Sequence, residues 1–219
     1  MIPFNTQDPF PLLELDKYSY QEAQDHAALV DQWLGFDLER VEKEISKSTK
    51  GQQNWSHLSV QAFQTPYVEL RNILEILKSL SPKHIVDLGC AYARMAFVIA
   101  EHCPDIHFTG YELEPLRVIE TNRVFTQKYK DKISITIEAR DLSDLNFTPP
   151  AADVYFIFDY GSEAAVKKTL NDLKLIALQK PIVVVGRGRL TRFLIHKEHP
   201  WLSEVNTPLH FAHFSIYSS

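Results

Sequence analysis

Residues 83–94 of the chain read KHIVDLGCAYAR, and this stretch decides the fold. A short apolar run ends in Asp87, a turn of small residues follows, and a helical pattern then begins with Met95, Val98 and Ile99 on its apolar face. Such a turn brings the backbone close to whatever lies above the carboxyl edge of the sheet. The first N–H groups of the helix are then free to bind an anion. An ordinary turn, in which Asp87 bonds only turn amides, is the alternative.

Strand-like and helix-like segments alternate on the carboxyl side of this turn. Strands are predicted at 107–112, 133–139, 152–162 and 181–186, with helices at 93–102, 114–129, 163–178 and 190–198. Two closing strands are predicted at 201–205 and 209–217, the last antiparallel. Short connections between strands and helices predict an α/β fold with a doubly wound, seven-stranded sheet.

Acidic residues follow three successive strands of this sheet. Asp87, Glu112 and Asp141 each stand where a strand ends, so we expect them to meet at one edge and to bind a nucleoside. Other interpretations stay open. Glu112 can cap the next helix, and Asp141 can be a simple turn residue with Asp144 as a competing ligand.

The charge distribution and composition of the sequence indicate which partners and which cellular location to expect. The 219 residues carry a net charge of −5, all of it in residues 1–80, which argues against nucleic acid as a partner. The acidic part either steers a cationic substrate or is a solvated helical face. Two cysteines, no apolar run of membrane length and no signal-like start predict a cytoplasmic protein without a membrane span.

We expect residues 1–60 to form a helical extension and residues 61–219 the binding domain. A helical pattern covers 19–50 with a possible kink at Gly35, and 51–54 are predicted as a loop. Trp55 and His57 either anchor the packing or line a cleft. Thr65 is predicted as the N-cap of the following helix, with Pro66 at its first position.

The stretch HIVDLGCAYAR resembles motif I of the class I S-adenosylmethionine (SAM) methyltransferases, which usually reads hhDLGCGxGR. Ala91 and Ala93 stand where the family has glycines. The resemblance implies a Rossmann-like methyltransferase sheet and a methionyl-binding turn built from Asp87, Gly89, Cys90, Ala91 and Ala93.

Residues 110–115, GYELEP, resemble motif II of the same family, most closely the GYELNP of non-SET protein-lysine methyltransferases that act on the ATP synthase c subunit. This likeness implies that Glu112, with Leu113 beside it, holds the ribose hydroxyls. In the same family an acid after the third strand receives the adenine amino group; Asp141 matches this position, which implies that role for Asp141 and packing of Leu142 on the ring.

Two further likenesses concern the reacting end of the cofactor. A "TP" turn before motif I touches the cofactor in the lysine enzymes, which implies that Thr65 and Tyr67 border its methionine part. FDYGS at 158–162 occupies the place of motif IV without its prolines. Asp159 and Tyr160 therefore become the candidate catalytic residues: Asp159 to orient an amine or accept its proton, and Tyr160 to flank the methyl group.

These features predict a SAM-dependent methyltransferase without a metal that acts on an amine acceptor, for which a protein lysine is one candidate. A small molecule is an alternative acceptor. A second alternative, which Ala91 and Ala93 favour, is a module that binds SAM and a partner protein but catalyses no reaction. An NAD-linked oxidoreductase is disfavoured because the chain has no GxGxxG.

Overall fold

A seven-stranded sheet forms the centre of the molecule. The computed structural model describes residues 1–48, 55, 57–129 and 134–219; the loop predicted at 51–54 lies outside these ranges. The strands are β1 His84–Leu88, β2 His107–Glu112, β3 Ile135–Ala139, β4 Val154–Phe158, β5 Val183–Arg187, β6 Leu209–His210 and β7 Phe214–Ser218. Their order is β3-β2-β1-β4-β5-β7-β6, with β1 to β5 parallel and β7 antiparallel to both of its neighbours. The predicted doubly wound sheet with an antiparallel last strand is confirmed.

Seven α-helices accompany the sheet in the described part of the chain. They are α1 Tyr20–Leu34, α2 Leu38–Ser48, α3 Tyr67–Leu77, α4 Arg94–His102, α5 Pro115–Lys128, α6 Glu163–Ala177 and α7 Arg189–Glu198. The single helix predicted over 19–50 is two helices, because Gly35 adopts a left-handed φ of 88° and its N–H caps the end of α1. Glycine takes this conformation without the steric cost that other residues meet. None of the described helices combines the length and apolar composition needed to cross a bilayer.

Three local predictions are wrong. The N-cap of α3 is Pro66 rather than Thr65, and no side chain caps the helix. The strand predicted at 201–205 is absent, because a 3-10 turn occupies Pro200–Leu202. The predicted strand 209–217 instead folds back on itself as the β6–β7 hairpin, closed by the bond from Phe211 N–H to the Phe214 carbonyl at 2.9 Å.

The N-terminal layer shares its core with the sheet. Phe10, Ala27, Val30 and Leu34 are buried in the same apolar cluster as residues of α3, α4 and the sheet. Apolar burial of this kind is the main source of folding stability. Residues 1–48 therefore pack as part of the fold, while the division into an extension and a binding domain at residue 60 stays a prediction.

Candidate functional site

A cavity of about 420 Å³ opens at the carboxyl ends of the parallel strands. This is the edge where ligands bind in open α/β sheets, and the volume is typical of a small-molecule site. The lining combines acids, arginines and aromatic rings: Trp55, Leu58, Ala62, Phe63, Gly89, Ala91, Glu112, Leu113, Arg117, Arg140, Asp141, Leu142, Ser143, Phe158, Asp159, Tyr160, Gly161, Ser162 and Ala165.

The turn after β1 forms one wall of the cavity and requires its glycine. Gly89 has φ 88°, and a Cβ added there would lie 2.1 Å from the Cβ of Tyr160. Ala91 and Ala93 are also left-handed, with φ of 49° and 45°. A left-handed backbone costs a non-glycine residue roughly 1–2 kcal/mol. The turn thus keeps a glycine-like course although two of its residues are alanine.

Glu112, at the end of β2, is a buried and well-bonded acid of the cavity. Its Oε2 accepts from the Ala91 N–H at 2.9 Å, and its Oε1 accepts from Glu114 N–H at 3.0 Å and Arg117 at 3.3 Å. Burial raises the pKa of Glu112, and Arg117 opposes that shift. A carboxylate has about four acceptor positions, so one remains for a ligand hydroxyl.

Asp87 differs from Glu112 because no described residue donates a hydrogen bond to it. It is 7% exposed, and burial, with the nearby charge of Glu112, raises its pKa to about 8. Asp87 lines a small hollow of about 20 Å³ that shares Phe63, Gly89, Ala91 and Phe158 with the main cavity. A hollow of this size holds one small group, such as a water or an ammonium.

Gln64 lines the same small hollow, and sequence analysis missed it. The residue is 4% exposed, and neither its Nε2 nor its Oε1 has a hydrogen-bond partner in the described part of the chain. Buried amides rarely stay unpaired, so a polar ligand group is the natural partner of both Gln64 and Asp87. Only its position beside the TP turn pointed to Gln64.

Asp141 lines the main cavity together with Leu142 and Ser143, whereas Asp87 lines the small hollow. The Asp141 Oδ1 accepts from the Ser143 N–H at 2.8 Å and the Ser143 hydroxyl at 2.6 Å, which fixes the turn. The competing acid, Asp144, bonds within its own turn and does not line the cavity. Leu142 is buried.

Asp159 and Tyr160, the candidate catalytic residues, line the cavity and also hold α6 and α7. The Asp159 Oδ1 accepts from the N–H and hydroxyl of Thr191, both at 2.8 Å, and Oδ2 accepts from Leu190 N–H at 3.2 Å. The Tyr160 hydroxyl bonds Thr169 at 2.5 Å and donates to the Ala165 carbonyl. Burial raises the pKa of Tyr160, so this hydroxyl stays protonated.

The other candidate residues are divided between the hollows and the core. Thr65 and Cys90 line the small hollow. Ala93 is buried and lines neither hollow. Tyr67 is also fully buried, and its hydroxyl donates to Asp31 at 2.8 Å.

Arg117 is a second residue that sequence analysis missed. It lines the cavity with its guanidinium 4.6 Å from the ring centre of Phe63. Glu42 of α2 accepts two of its hydrogen bonds, both at 2.9 Å. The N-terminal layer therefore supports one wall of the cavity.

Within the described residues, no group of three His, Cys, Asp or Glu is placed to hold a metal ion.

Solved structures share this architecture. No protein-family model and no curated protein matches the sequence. The mitomycin 7-O-methyltransferase MmcR superposes with a TM-score of 0.52 at 16% identity, over 91% of this chain and 66% of that one. An rRNA methylase from Escherichia coli superposes with a TM-score of 0.51 at 16% identity, over 90% and 75%. The chain therefore has the Rossmann-like fold of the class I SAM-dependent methyltransferases.

Proposed function

We propose that this protein is a SAM-dependent methyltransferase. One observation carries the proposal: acids at the ends of β1, β2 and β3 line two connected hollows at the carboxyl edge of a methyltransferase-type sheet. Because β2 lies between β1 and β3 in the sheet, acids at these three strand ends suit a ligand with an ammonium at one end, a ribose in the middle and an adenine at the other. An NAD-type ligand has no ammonium to match the unpartnered Asp87.

The residues present fit SAM group by group. Asp87 and Gln64 would hold the α-ammonium, and Thr65 and the 89–93 turn would border the methionine part. Glu112, beside Leu113, would accept from a ribose hydroxyl at its remaining acceptor position. Asp141 would accept from the adenine amino group, against Leu142. When bound, SAM supplies a methyl group that its sulfonium already activates. The protein's task is then to align the acceptor and to exclude water.

The acceptor that we propose is an amine, specifically a protein lysine. Supporting this choice, four aromatic residues, Trp55, Phe63, Phe158 and Tyr160, line the same cavity as Asp159. Aromatic faces and a carboxylate favour the positive charge that passes from sulfur to nitrogen when the neutral amine takes the methyl group and becomes a methylammonium. Asp159 would orient the amine, and the Tyr160 ring would border the methyl group.

Calorimetry with SAM, followed by labelling of a lysate with methyl-tritiated SAM, tests the proposal. We expect saturable SAM binding and labelled protein whose acid hydrolysate contains methyllysine. Label confined to small molecules would refute the lysine acceptor but keep the methyltransferase. A folded protein without measurable SAM affinity would refute both.

A silent SAM-binding module is the second candidate. Two observations favour it: the strained alanines of the 89–93 turn, and the helix-capping bonds that occupy both Asp159 carboxylate oxygens. SAM binding without any labelled product, in lysates from several growth conditions, would select this module over the enzyme.

A further inference from the structure

A second groove, separate from the cofactor cavity, runs along α7 and β6. Its volume is about 380 Å³. We call it the basic groove. The residues that line it include Arg189, Arg192, Phe193, His196, Pro208 and His210. The four α7 residues recur at helical spacing and so lie on one face of the helix. No Asp or Glu is among the described residues that line the groove.

The charge of the basic groove runs against that of the whole chain. Residues 187–219 contain four Lys or Arg and two Asp or Glu, in a chain of net charge −5. Neither Arg189 nor Arg192 forms an ion pair with any residue that the structure describes. Arg192 is held by one bond, from its Nη1 to the Ala212 carbonyl at 3.2 Å. Both guanidinium groups are therefore available for bidentate bonds to an anion.

The basic groove begins at the wall of the cofactor cavity. Helix α7 starts at Arg189, and the next two backbone N–H groups donate to Asp159, which lines the cavity. We infer that the basic groove binds an acidic, extended peptide segment of the methyl acceptor, an inference that rests on the proposed function. A chain lying in the groove would lead an adjoining lysine towards Asp159.

The occupant is a peptide rather than a nucleic acid for three reasons. Two guanidinium groups are few for a site that neutralises several phosphates, and the sequence pI is about 6.0, unlike a nucleic-acid-binding domain. Strand β6 ends the sheet order, so its outer edge offers backbone groups to an extended peptide. The ring of Phe193, which is 54% exposed, offers an apolar contact between the charges.

Fluorescence anisotropy with two probes tests the inference. One probe is a labelled peptide of alternating glutamate and leucine with one lysine, and the other is a labelled oligouridine of equal net charge. The test variant is Arg189→Glu with Arg192→Glu. The control is Lys83→Glu with Lys174→Glu, an equal charge change at two exposed lysines, one just before β1 and one on α6, neither of which lines the groove or the cavity.

We expect the peptide to bind the native protein, and the test variant to lose at least about tenfold in affinity while the control keeps it. Tighter binding of oligouridine, lost in the test variant, would overturn the peptide in favour of a nucleic acid. Equal loss in the control, or no binding of either probe, would also overturn the inference. SAM calorimetry on all variants separates failure of the peptide-binding inference from failure of the proposed function. If SAM still binds, only the inference about the groove is refuted. If SAM does not bind, the proposed function is refuted as well.

Discussion

Asp87 and Glu112 are both acids at strand ends, but their surroundings give them different tasks. Glu112 already accepts three hydrogen bonds from the turn and from α5, so it is a fixed acceptor. Asp87 accepts none from described residues, and its pKa of about 8 leaves it mostly neutral at pH 7. In the proposed site, Glu112 accepts a hydrogen bond from a ribose hydroxyl, and Asp87 ionises when it binds the ammonium group.

Glu112→Gln should weaken SAM binding by about 1–3 kcal/mol. The substitution replaces a charge-assisted hydrogen bond from the ribose with a neutral one. Isothermal calorimetry measures the change directly. Asp144→Asn is the matched control, since this turn acid lies outside the cavity. An unchanged affinity in folded Glu112→Gln would remove Glu112 from the ribose site.

SAM binding at pH 7 should release close to one proton from Asp87. The ligand-free carboxyl is mostly protonated below its pKa of about 8, and a bound ammonium favours the ionised form. The dependence of the calorimetric enthalpy on buffer ionisation measures this release. It should be absent in Asp87→Asn, and a release that persists in that variant would assign the proton to another group.

The raised pKa of Asp87 also makes the ligand-free fold sensitive to pH. Between the unfolded pKa of about 4 and the folded pKa of about 8, the folded chain keeps a proton that the unfolded chain has lost. The contribution of Asp87 to the free energy of unfolding therefore falls as pH rises through this window and is constant above it. Asp87 becomes ionised towards the upper end of this window. A cationic ligand therefore adds most to the free energy of unfolding at that end.

At the scale of elements, α7 depends on a residue from the end of β4. Its own N-cap, Gly188, offers no side-chain oxygen, and Asp159 supplies the acceptors for Leu190 and Thr191 instead. The same carboxylate lines the cavity, so capping and any catalytic role are combined in one side chain. Two substitutions separate these roles.

Asp159→Ala should lower the free energy of unfolding by about 0.5–2 kcal/mol, the usual cost of losing a cap. Asp159→Asn should keep part of that stability, because its one oxygen can still accept from Thr191 while the bond from Leu190 N–H is lost, and methyl transfer should slow. Urea unfolding and initial rates with labelled SAM measure the two effects. A normal rate in stable Asp159→Asn would leave Asp159 with the capping role alone.

Elements with strong local signals were predictable, and those defined by distant contacts were not. Strands β1, β4 and β5 contain apolar runs and β3 alternates apolar with polar residues, and the structure has each of the strands β1 to β5 to within a few residues of its predicted bounds. The β6–β7 hairpin was missed because β6 has two residues and its alternating pattern continues through the turn. Gly35 was noted as a kink, but its left-handed φ, which ends α1, appears only in the structure.

At the scale of the whole molecule, the same distinction holds for the site. The strand-end acids could be found because strand ends meet at one sheet edge whatever the details of packing. Gln64 and Arg117 could not, since their roles come from burial and from Glu42, which is 75 residues from Arg117 along the chain. The N-terminal layer is joined to the sheet by contacts of this long-range kind.

Asp31 makes a buried connection of this kind, and its removal tests how much the stability of the fold depends on contacts with the N-terminal layer. Asp31 and Arg94 form an ion pair with side chains 3% and 2% exposed, and Tyr67 donates to the same carboxylate. Asp31→Ala should cost about 3–5 kcal/mol, because it leaves a buried guanidinium without its counter-charge. Asp25→Ala, at an exposed position of the same helix, should change stability by less than about 0.5 kcal/mol. Chemical denaturation compares the two. A small loss in Asp31→Ala would mean that this ion pair adds little to the stability of the fold and that apolar burial alone holds the N-terminal layer in place.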